Sequence, residues 1–496
     1  MIDPVELQVL TGALHAACEE MGAVLIRSAH SANIKERRDA STALFDRRGQ
    51  MVMQAEHIPV HLGAMPAAVA AVLDEDHEPG RSWILNDPYR GGTHLPDITV
   101  ITPVFAGAEG ELLGFAANRA HHADVGGPTP GSMPADSRTL ADEGVVIEPR
   151  VLDQAAIDEL SSRMRRPDQR RADLRAQLAA GRVGATRLQD LRERVGADTL
   201  AQAFEAVLDY AERRTRACLN HLDDGVRTAC DVLEGADGTD LELKLRTTVS
   251  GDRLELDFTG SAAQHDGNLN CPLAVTRSAC YFAVRVLTDP DIPPSAGAYR
   301  PIDVLAPEGC ILNARSPAAV AGGNVETSSR VADLVLKAFG RALGQGTMNN
   351  LTLGDEHGVV YYETLGGGQG ACPDADGPSG VHVAMSNTLN TPIEALELEF
   401  PLRAIEYSLR RGSGGAGRYR GGDGIVRELE ALAPLRYSLI TERRRHAPPA
   451  AAGGAPAATG RNLLDGQELP AKATGELTPG QRLRIETPGG GGYGGP

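Results

Sequence analysis

The sequence has little of what nucleic-acid binding requires. Its 496 residues include 49 Lys and Arg against 66 Asp and Glu, a net charge of −17, so positive charge is scarce. A phosphate backbone is bound by clustered Lys and Arg, and the charge balance therefore disfavours a nucleic-acid partner. The one basic run, residues 163–175, follows a helical pattern, which indicates a solvated helix face or a subunit contact.

Cysteines and long apolar runs are also scarce. The 7 Cys residues show no CxxC spacing, which fits neither a zinc ribbon nor a disulfide framework, and buried thiols in a reducing compartment explain them. No uninterrupted apolar run reaches about 18 residues. The first residues, 1–4, lack the basic start of a signal peptide. We therefore expect a cytoplasmic protein with no membrane span.

Glycine and proline are abundant, with 57 and 31 residues, so turns and loops are many. Helical spacing over residues 4–31, with Asp3 as the N-cap, predicts a long first helix. Period-two and apolar runs predict strand pairs at residues 42–58, 98–117 and 241–260. Together with the further helices that amphipathic spacing predicts, these patterns indicate an α+β fold.

The chain divides into four predicted regions that differ in pattern. They are an N-terminal α+β unit with a metal site (1–150), a helical region (151–235), an α+β region (236–395) and a β-rich, Gly-containing region (396–496). The helical region is expected to pack over the first unit or against a partner, since its helices are amphipathic.

The predicted hairpin at residues 98–117 is flanked by candidate metal ligands. His94 and Asp97 precede its first strand, and His121 and His122 follow its second, so pairing of the strands brings the two sets to one end. Imidazole nitrogen and carboxylate oxygen suit Zn, Mn or Fe as divalent ions. The alternative is that these are polar loop residues that satisfy turns and backbone groups.

Two further polar clusters are candidates for binding a substrate. Asn268 and Asn270 follow the third strand pair, and Asn324 and Glu326 open a predicted helix. Asn offers both a donor and an acceptor, which suits an amide or carboxylate ligand. The alternative is that these side chains cap helices and form Asx turns.

Two other features are weaker candidates for functional sites. The Gly-rich segment at residues 411–422 lacks the Lys and hydroxyl residue of a P-loop, so tight turns explain it better than an ATP site. His57 and His61 lie in a Pro-containing loop, and the direction of their side chains cannot be read from the sequence.

Several long motifs resemble those of the hydantoinase B family, among them NDPYRGGTHLPD and HHADVGG. The matching segments are residues 31–39, 57–63, 86–97, 121–127, 267–279 and 386–397. That family comprises the B subunits of ATP-dependent hydantoinases, the matching half of 5-oxoprolinase, and subunits of acetone and acetophenone carboxylases. The resemblance extends from about residue 4 to the C-terminus.

The resemblance implies a function that depends on a partner. A hydantoinase A-like subunit uses ATP to phosphorylate the substrate, and this chain completes the opening of a cyclic amide such as hydantoin or 5-oxoproline, within a hetero-oligomer. The alternatives are a subunit of a biotin-independent ketone carboxylase and a noncatalytic scaffold for the ATPase subunit.

The resemblance also implies a set of site residues. The metal ligands would be His94, Asp97 and either His121 or His122, with Asp124 orienting a ligand or acting as a base. Adjacent histidines on a strand face opposite ways, so only one of the pair is expected to bind the metal.

Overall fold

The structure, a computed structural model, describes residues 2–56, 58–107 and 110–495, without the side chain of Glu56. The helices in these residues are α1 (Pro4–Ser28), α2 (Ala32–Lys35), α3 (Ala64–Ala70), α4 (Gln154–Ser162), α5 (Pro167–Val195), α6 (Ala197–Leu219), α7 (Leu273–Leu287), α8 (Ala296–Tyr299), α9 (Ser328–Ala338) and α10 (Ile393–Glu399). Short 3₁₀ turns lie at Pro59–His61, Pro88–Arg90 and Leu140–Asp142, and a π-helical turn at Gly323–Thr327 precedes α9.

The strands form four sheets. The first half of the chain supplies β1 (Ala40–Asp46), β2 (Met51–Glu56), β3 (Ser82–Leu85), β4 (Asp97–Phe105), β5 (Leu112–His121), β6 (Arg150–Leu152), β7 (Gly225–Glu234), β8 (Asp240–Ser250) and β9 (Arg253–Asp257). The second half supplies β10 (Ile302–Leu305), β11 (Asn350–Gly354), β12 (Val360–Glu363), β13 (Leu402–Arg410), β14 (Gly424–Ala431), β15 (Leu435–Ile440), β16 (Arg461–Leu464), β17 (Gln467–Leu469), β18 (Lys472–Leu477) and β19 (Arg482–Glu486). Helices and sheets are mixed along the chain, which confirms the predicted α+β class.

The first sheet is antiparallel and has the strand order β2-β1-β5-β4-β3-β6. Side chains alternate across a strand, so the two faces of β1 join different cores. Leu44 packs in one core with residues of α1 and α5. Ala43 and Phe45 pack in another with residues of α3 and α7. Both faces of the sheet are thus covered, and β1 is buried along its whole length.

The predicted long first helix is confirmed as α1. The Asp3 carboxylate caps it by accepting hydrogen bonds from the backbone N–H groups of Val5 and Glu6 at 3.1 and 3.3 Å. By length and composition alone, α1 is apolar enough to cross a membrane, although its apolar residues form no uninterrupted run. In the structure, Leu14 and Met21 are fully buried in the core beneath the first sheet, as expected of a core helix.

The predicted hairpin around the candidate ligands is confirmed as β4 and β5. Their register pairs Asp97 with His121, and β1 continues the row by pairing Ala40 with Ala120. Asp39 is the residue before β1, and its backbone carbonyl accepts a hydrogen bond from the His121 backbone N–H at 3.0 Å. Three neighbouring strands therefore carry Asp39, His121 and Asp97 in one row at one edge of the sheet.

The remaining sheets have the orders β10-β9-β8-β7, β12-β11-β15-β18 and β13-β14-β19-β16-β17. Pairing of β11 with β15 joins strands from both sides of the predicted boundary between residues 395 and 396. A buried ion-pair network ties the second and third sheets together: Arg330, on α9, contacts Asp231 at 3.4 Å and Glu442 at 3.2 Å. The four-region division stays a prediction, and paired strands and buried ion pairs connect its third region with its second and fourth.

Helix α5 packs very closely on α1 and β5, which predicts an intolerance of larger residues at Gly184. A Cβ atom there would lie 2.5 Å from Met21 Sδ and 2.7 Å from Ala116 Cβ. We expect Gly184→Ala to lower the free energy of unfolding by about 1–3 kcal/mol, because a crowded contact must open. Denaturant-induced unfolding measures the change.

Gly12→Ala is the matched control, since Gly12 lies within α1 and a Cβ there meets no described atom within 4 Å. It should raise stability by roughly 0.5–1 kcal/mol through the loss of backbone entropy in the unfolded chain. Equal effects of the two substitutions would contradict the close packing of α5.

Candidate metal centre

The row of polar residues at the sheet edge forms a compact ligand set. His94 Nε2 lies 3.1 Å from Asp97 Oδ1, and His121 Nδ1 lies 3.4 Å from the same oxygen. One ligand atom from each of the three residues lies within 4.8 Å of the others. An ion about 2.0–2.2 Å from each donor fits a set of this size.

Local turns explain how these side chains are aimed. The backbone N–H of Asp97 donates to the carbonyl of His94 at 3.1 Å, which closes a turn and brings the two side chains together. The hydroxyl of Thr93 donates to Asp97 Oδ2 at 2.6 Å and leaves Oδ1 facing the imidazoles. On the other strand, the His121 ring stacks on the Tyr362 ring with centroids 4.8 Å apart and planes 8° apart.

Unpartnered nitrogens show that the donor set suits a metal ion. Both ring nitrogens of His94, His121 Nε2 and His61 Nε2 are buried and lack a well-aligned hydrogen bond to any residue that the structure describes, although His94 Nε2 and His61 Nε2 lie 3.1 and 3.6 Å from Asp97 oxygens. A buried polar atom without a partner costs free energy, so native proteins pair nearly all of them. Coordination to a divalent cation would satisfy lone pairs on these rings and the charge of the Asp97 carboxylate together.

The ionisation states agree with this chemistry. Burial opposes the charge on Asp97, yet the charge of His94 and contacts with His121, His61 and His94 hold the pKa of its carboxyl well below the ordinary value. Burial lowers the pKa of His121, although Asp97 and Asp39 oppose that shift. An anionic carboxylate beside a neutral imidazole is the form in which both groups bind a metal.

Two further residues reach this cluster. His61 Nε2 lies 3.6 Å from Asp97 Oδ2, and its Nδ1 is 2.8 Å from the Ser41 hydroxyl. Asp39 Oδ2 lies 3.9 Å from His121 Nδ1. The sequence alone left the direction of His61 open and did not single out Asp39, although both lie in segments that resemble the family. His57 falls outside the described residues.

The other proposed residues of the HHAD segment lie away from the cluster. His122 Nε2 is 2.9 Å from Gln177 Oε1, on the α5 side of the sheet, and burial lowers the pKa of the His122 ring to about 4. Asp124 accepts hydrogen bonds from the backbone N–H groups of Gly126 and Gly131 and pairs with Arg165 at 2.9 Å. The structure therefore brings His121 to the ligand set and commits Asp124 to holding the following loop.

The proposed substrate-binding residues are also divided. Asn324 lines the same cavity as His94 and His121, and its buried Oδ1 accepts no hydrogen bond from the described part of the chain. Asn268 and Asn270 instead donate to backbone carbonyls, of Pro134 at 2.7 Å and of Gly267 at 2.7 Å respectively. The capping and turn alternative thus describes Asn268 and Asn270.

Glu326 is fully buried beside the cavity wall rather than in the lining that the structure describes. Its Oε1 accepts from Met348 N at 3.1 Å and from Asn350 Nδ2 at 2.9 Å. The Tyr362 hydroxyl donates to Asn350 Oδ1 at 2.7 Å, so Glu326 is linked through Asn350 to the ring that stacks on His121.

The cavity above the ligands draws its walls from distant parts of the chain. It encloses about 20 Å³, which is room for an ion or a single water molecule. The lining comprises Asp39, Ile58, Val60, His61, His94, Asp97, His121, Asn324, Val325, Met348, Tyr362, Thr364, Met385, Ser386, Asn387 and Thr388. Of this lining, Ser386, Asn387 and Thr388 belong to segment 386–397, which the sequence marks only through its resemblance to the family, because nothing local ties it to the histidines.

Comparison with known proteins identifies the family. A family model described as Hydantoinase B/oxoprolinase matches residues 3–496. The chain belongs to this family. The resemblance that the sequence motifs predicted is therefore confirmed over nearly the whole chain.

Among relatives in the family, 5-oxoprolinase 1 of Arabidopsis thaliana is 39% identical over 99% of this chain and 42% of its own length. The putative B component of a D-/L-hydantoinase from a Pseudomonas species is 32% identical over 100% of this chain and 90% of its own length. The chain thus spans about two-fifths of the length of some relatives and nearly all of others.

Two solved structures share the fold. The ATP-dependent caprolactamase of Pseudomonas jessenii matches 100% of this chain and 92% of its own with a TM-score of 0.93 and 28% identity. A nucleotide-free acetone carboxylase matches 99% of this chain and 76% of its own with a TM-score of 0.85 and 19% identity. The second likeness establishes a common fold.

The ligand set predicts the effect of removing its members. We expect His94→Ala and Asp97→Asn each to weaken metal binding by more than about 100-fold, since even an outer partner of a ligand contributes roughly 10- to 100-fold. Thr93→Val removes the hydroxyl that donates to Asp97 and should weaken metal binding by only about 10- to 100-fold. Calorimetric titration of metal-stripped protein with Zn²⁺ and Mn²⁺ measures the affinities.

His122→Asn is the control for these variants, because its ring faces Gln177 on the other side of the strand. It should bind metal as the unmodified protein does. Loss of metal binding in this variant with retention in His94→Ala would overturn the assignment of ligands.

The raised pKa of Glu326 predicts that the stability of the fold depends on pH. Burial, with the charge of Glu442, raises the pKa of Glu326 from 4.5 to about 8, although Lys472 opposes the shift. Between these values the folded state keeps a proton that the unfolded state has lost, so stability falls as pH rises through that window. Glu326→Gln should lessen the fall in melting temperature between about pH 5 and about pH 9, and an unchanged fall would contradict the raised pKa.

Proposed function

We propose that this chain is the metal-dependent component of an ATP-dependent cyclic-amide hydrolase. It would open a ring of the hydantoin or 5-oxoproline type after a partner ATPase has activated the ring carbonyl, within a cytoplasmic hetero-oligomer. The observation that carries this proposal is the convergence of His94, Asp97 and His121 around one buried cavity in a member of the Hydantoinase B/oxoprolinase family.

The names of related proteins support the substrate class. One relative is called a 5-oxoprolinase, another is named as the B component of a D-/L-hydantoinase, and the solved structure with 28% identity is an ATP-dependent caprolactamase. Each of these names refers to a ring that contains an amide. Relatives of which this chain covers about 42% have further sequence beyond the matched part. In the proposal, a partner ATPase supplies the ATP-dependent step.

His94, Asp97 and His121 would hold the ion, and His61 and Asp39 could complete its shell. A divalent Zn, Mn or Fe ion there supplies Lewis acidity and lowers the pKa of bound water. The protein contributes the rest through its own side chains. Thr93 keeps the Asp97 carboxylate oriented, and the unpartnered amide oxygen of Asn324 can accept a hydrogen bond from a ring N–H.

Asp124 takes a supporting role in this proposal. Its carboxylate holds the loop after His121 through the N–H groups of Gly126 and Gly131 and through Arg165. It would therefore keep the end of β5 in place instead of acting as a base. A ring substrate needs more space than about 20 Å³, so its entry requires side chains of the cavity wall to move.

Reconstitution with the partner ATPase tests the function. We expect ATP-dependent opening of 5-oxoproline, hydantoin or caprolactam. Chromatography of the ring-opened product and the release of phosphate measure the reaction. His94→Ala and Asp97→Asn should lower kcat by at least about 100-fold, since an ion and its bound water are removed from the site. His122→Asn serves as the control and should stay active.

Bicarbonate distinguishes the hydrolase from a ketone carboxylase. Ring opening that proceeds without bicarbonate supports the hydrolase. ATP hydrolysis that requires both bicarbonate and a ketone, with no ring opened, would instead establish the carboxylase. Full ring opening by both ligand variants would leave the chain as a scaffold and refute the metal-dependent role.

A further inference from the structure

A serine and a histidine form a hydrogen-bonded pair at the edge of the cavity. The hydroxyl Oγ of Ser386 lies 2.6 Å from Nδ1 of His382. Ser386 is 5% exposed and lines the cavity that also contains His94 and His121. The pair therefore places an exchangeable proton beside the candidate metal centre, on a loop that neither the metal ligands nor the proposed function uses.

The other ring nitrogen of His382 has no partner among the described residues. Nε2 is buried and makes no hydrogen bond to them, so the Ser386 hydroxyl is the hydrogen-bond partner that the described residues give this ring. Burial and the nearby charge of Arg37 lower the pKa of His382 to about 4. The ring is thus neutral near neutral pH, and its Nδ1 lone pair can accept the proton of the Ser386 hydroxyl.

The backbone between the two residues contains a strained position. Ala384 has a φ of 51°, in the left-handed region that non-glycine residues seldom adopt. The Ser386 backbone N–H donates to the Val383 carbonyl at 3.2 Å and closes the turn. Such strain persists where the surroundings enforce it, and here it lies in the turn that carries Ser386 in the cavity lining.

We propose that Ser386 and His382 form a proton relay that serves ring opening at the metal centre. This proposal rests on the proposed hydrolase function. Ser386 touches the reacting water and the ring nitrogen, and His382 acts through Ser386. The pair differs from a catalytic triad because the described residues offer no carboxylate to the free face of His382.

Ser386 and His382 return every proton that they take up during the reaction. As the oxygen of water bonds to the amide carbon, a water proton passes to Ser386 Oγ, whose own proton passes to His382 Nδ1. The imidazolium then returns a proton through Ser386 to the ring nitrogen as the C–N bond breaks, and the phosphoryl group that activated the carbonyl stays on the new carboxyl oxygen as an acyl phosphate. One water has been added across the C–N bond, and both side chains regain their starting protonation. A second water then cleaves the acyl phosphate to the free carboxylate and inorganic phosphate. Burial makes the imidazolium a strong acid, which favours the return step.

Four variants of the chain, assayed with the partner ATPase, 5-oxoproline, hydantoin, caprolactam and ATP, test the relay. Ser386→Ala and His382→Gln should each lower kcat by about 100-fold with little change in KM, which is the usual contribution of general acid–base catalysis. Ser386→Thr keeps a hydroxyl and should recover activity to within about tenfold of the unmodified protein. Ser413→Ala removes a buried hydroxyl that bonds local backbone and should leave kcat unchanged.

Two readouts do not depend on turnover. Ser386→Ala should retain its metal, unlike His94→Ala, because the pair contributes no ligand. Nitrogen NMR of ¹⁵N-histidine-labelled protein should show a shift of the His382 Nδ1 resonance in Ser386→Ala, with His382→Gln used to assign that resonance. An unchanged resonance would overturn the hydrogen-bonded pair.

The outcomes separate the relay from the proposed function. If the unmodified protein opens a ring and Ser386→Ala does so at the same rate, the relay fails and the hydrolase stands. If mass spectrometry of a rapidly quenched reaction finds an acyl group on Ser386, the serine is a nucleophile and the relay fails. If the unmodified protein opens none of the three rings, the proposed function itself fails, and the relay fails with it.

Discussion

The structure depends on one buried carboxylate, that of Asp97. An isolated anion in a protein interior is costly, so it persists only where cations or hydrogen-bond donors surround it. Here His94, His121 and His61 approach both of its oxygens, and the Thr93 hydroxyl donates to one of them. The carboxylate and the groups around it stabilise one another, and the edge of the first sheet holds them in position.

That dependence extends through the whole chain. The cavity wall includes residues near 60, 120, 325, 350, 362 and 386, so the centre is assembled only when the regions pack together. The buried network of Arg330, Asp231 and Glu442 links β7 of the second sheet to the segment that follows β15 of the third sheet. Because both partners of these ion pairs are buried away from water, removing one of them would leave the other as an uncompensated charge. The packing that builds the site is therefore also what keeps the fold specific.

Much of the local structure followed from patterns of a few residues. The N-cap Asp3, the hairpin of β4 and β5 and the α+β class depend on side-chain periodicity and turn chemistry, and the predictions for them are confirmed. Strand alternation left one question open, namely which of two adjacent histidines faces the ligands. The cross-strand pairing of His121 with Asp97 answers it, and a register is a relation between strands that one strand alone does not contain.

By itself the sequence determined the family and the α+β class and named His94, Asp97 and His121 among the candidate ligands, because those features lie in continuous motifs. Only the tertiary structure placed Asp39 and His61 beside the candidate ligands, bound Asp124, Asn268 and Asn270 to backbone groups, and placed Ser386 in the cavity lining. Asn, Asp and Ser side chains bind backbone groups as readily as ligands, so their roles are set by the neighbours that folding provides. Some of those neighbours are close in the chain, such as Gly126 for Asp124, and others are distant, such as Pro134 for Asn268, and a local sequence pattern contains only the close ones.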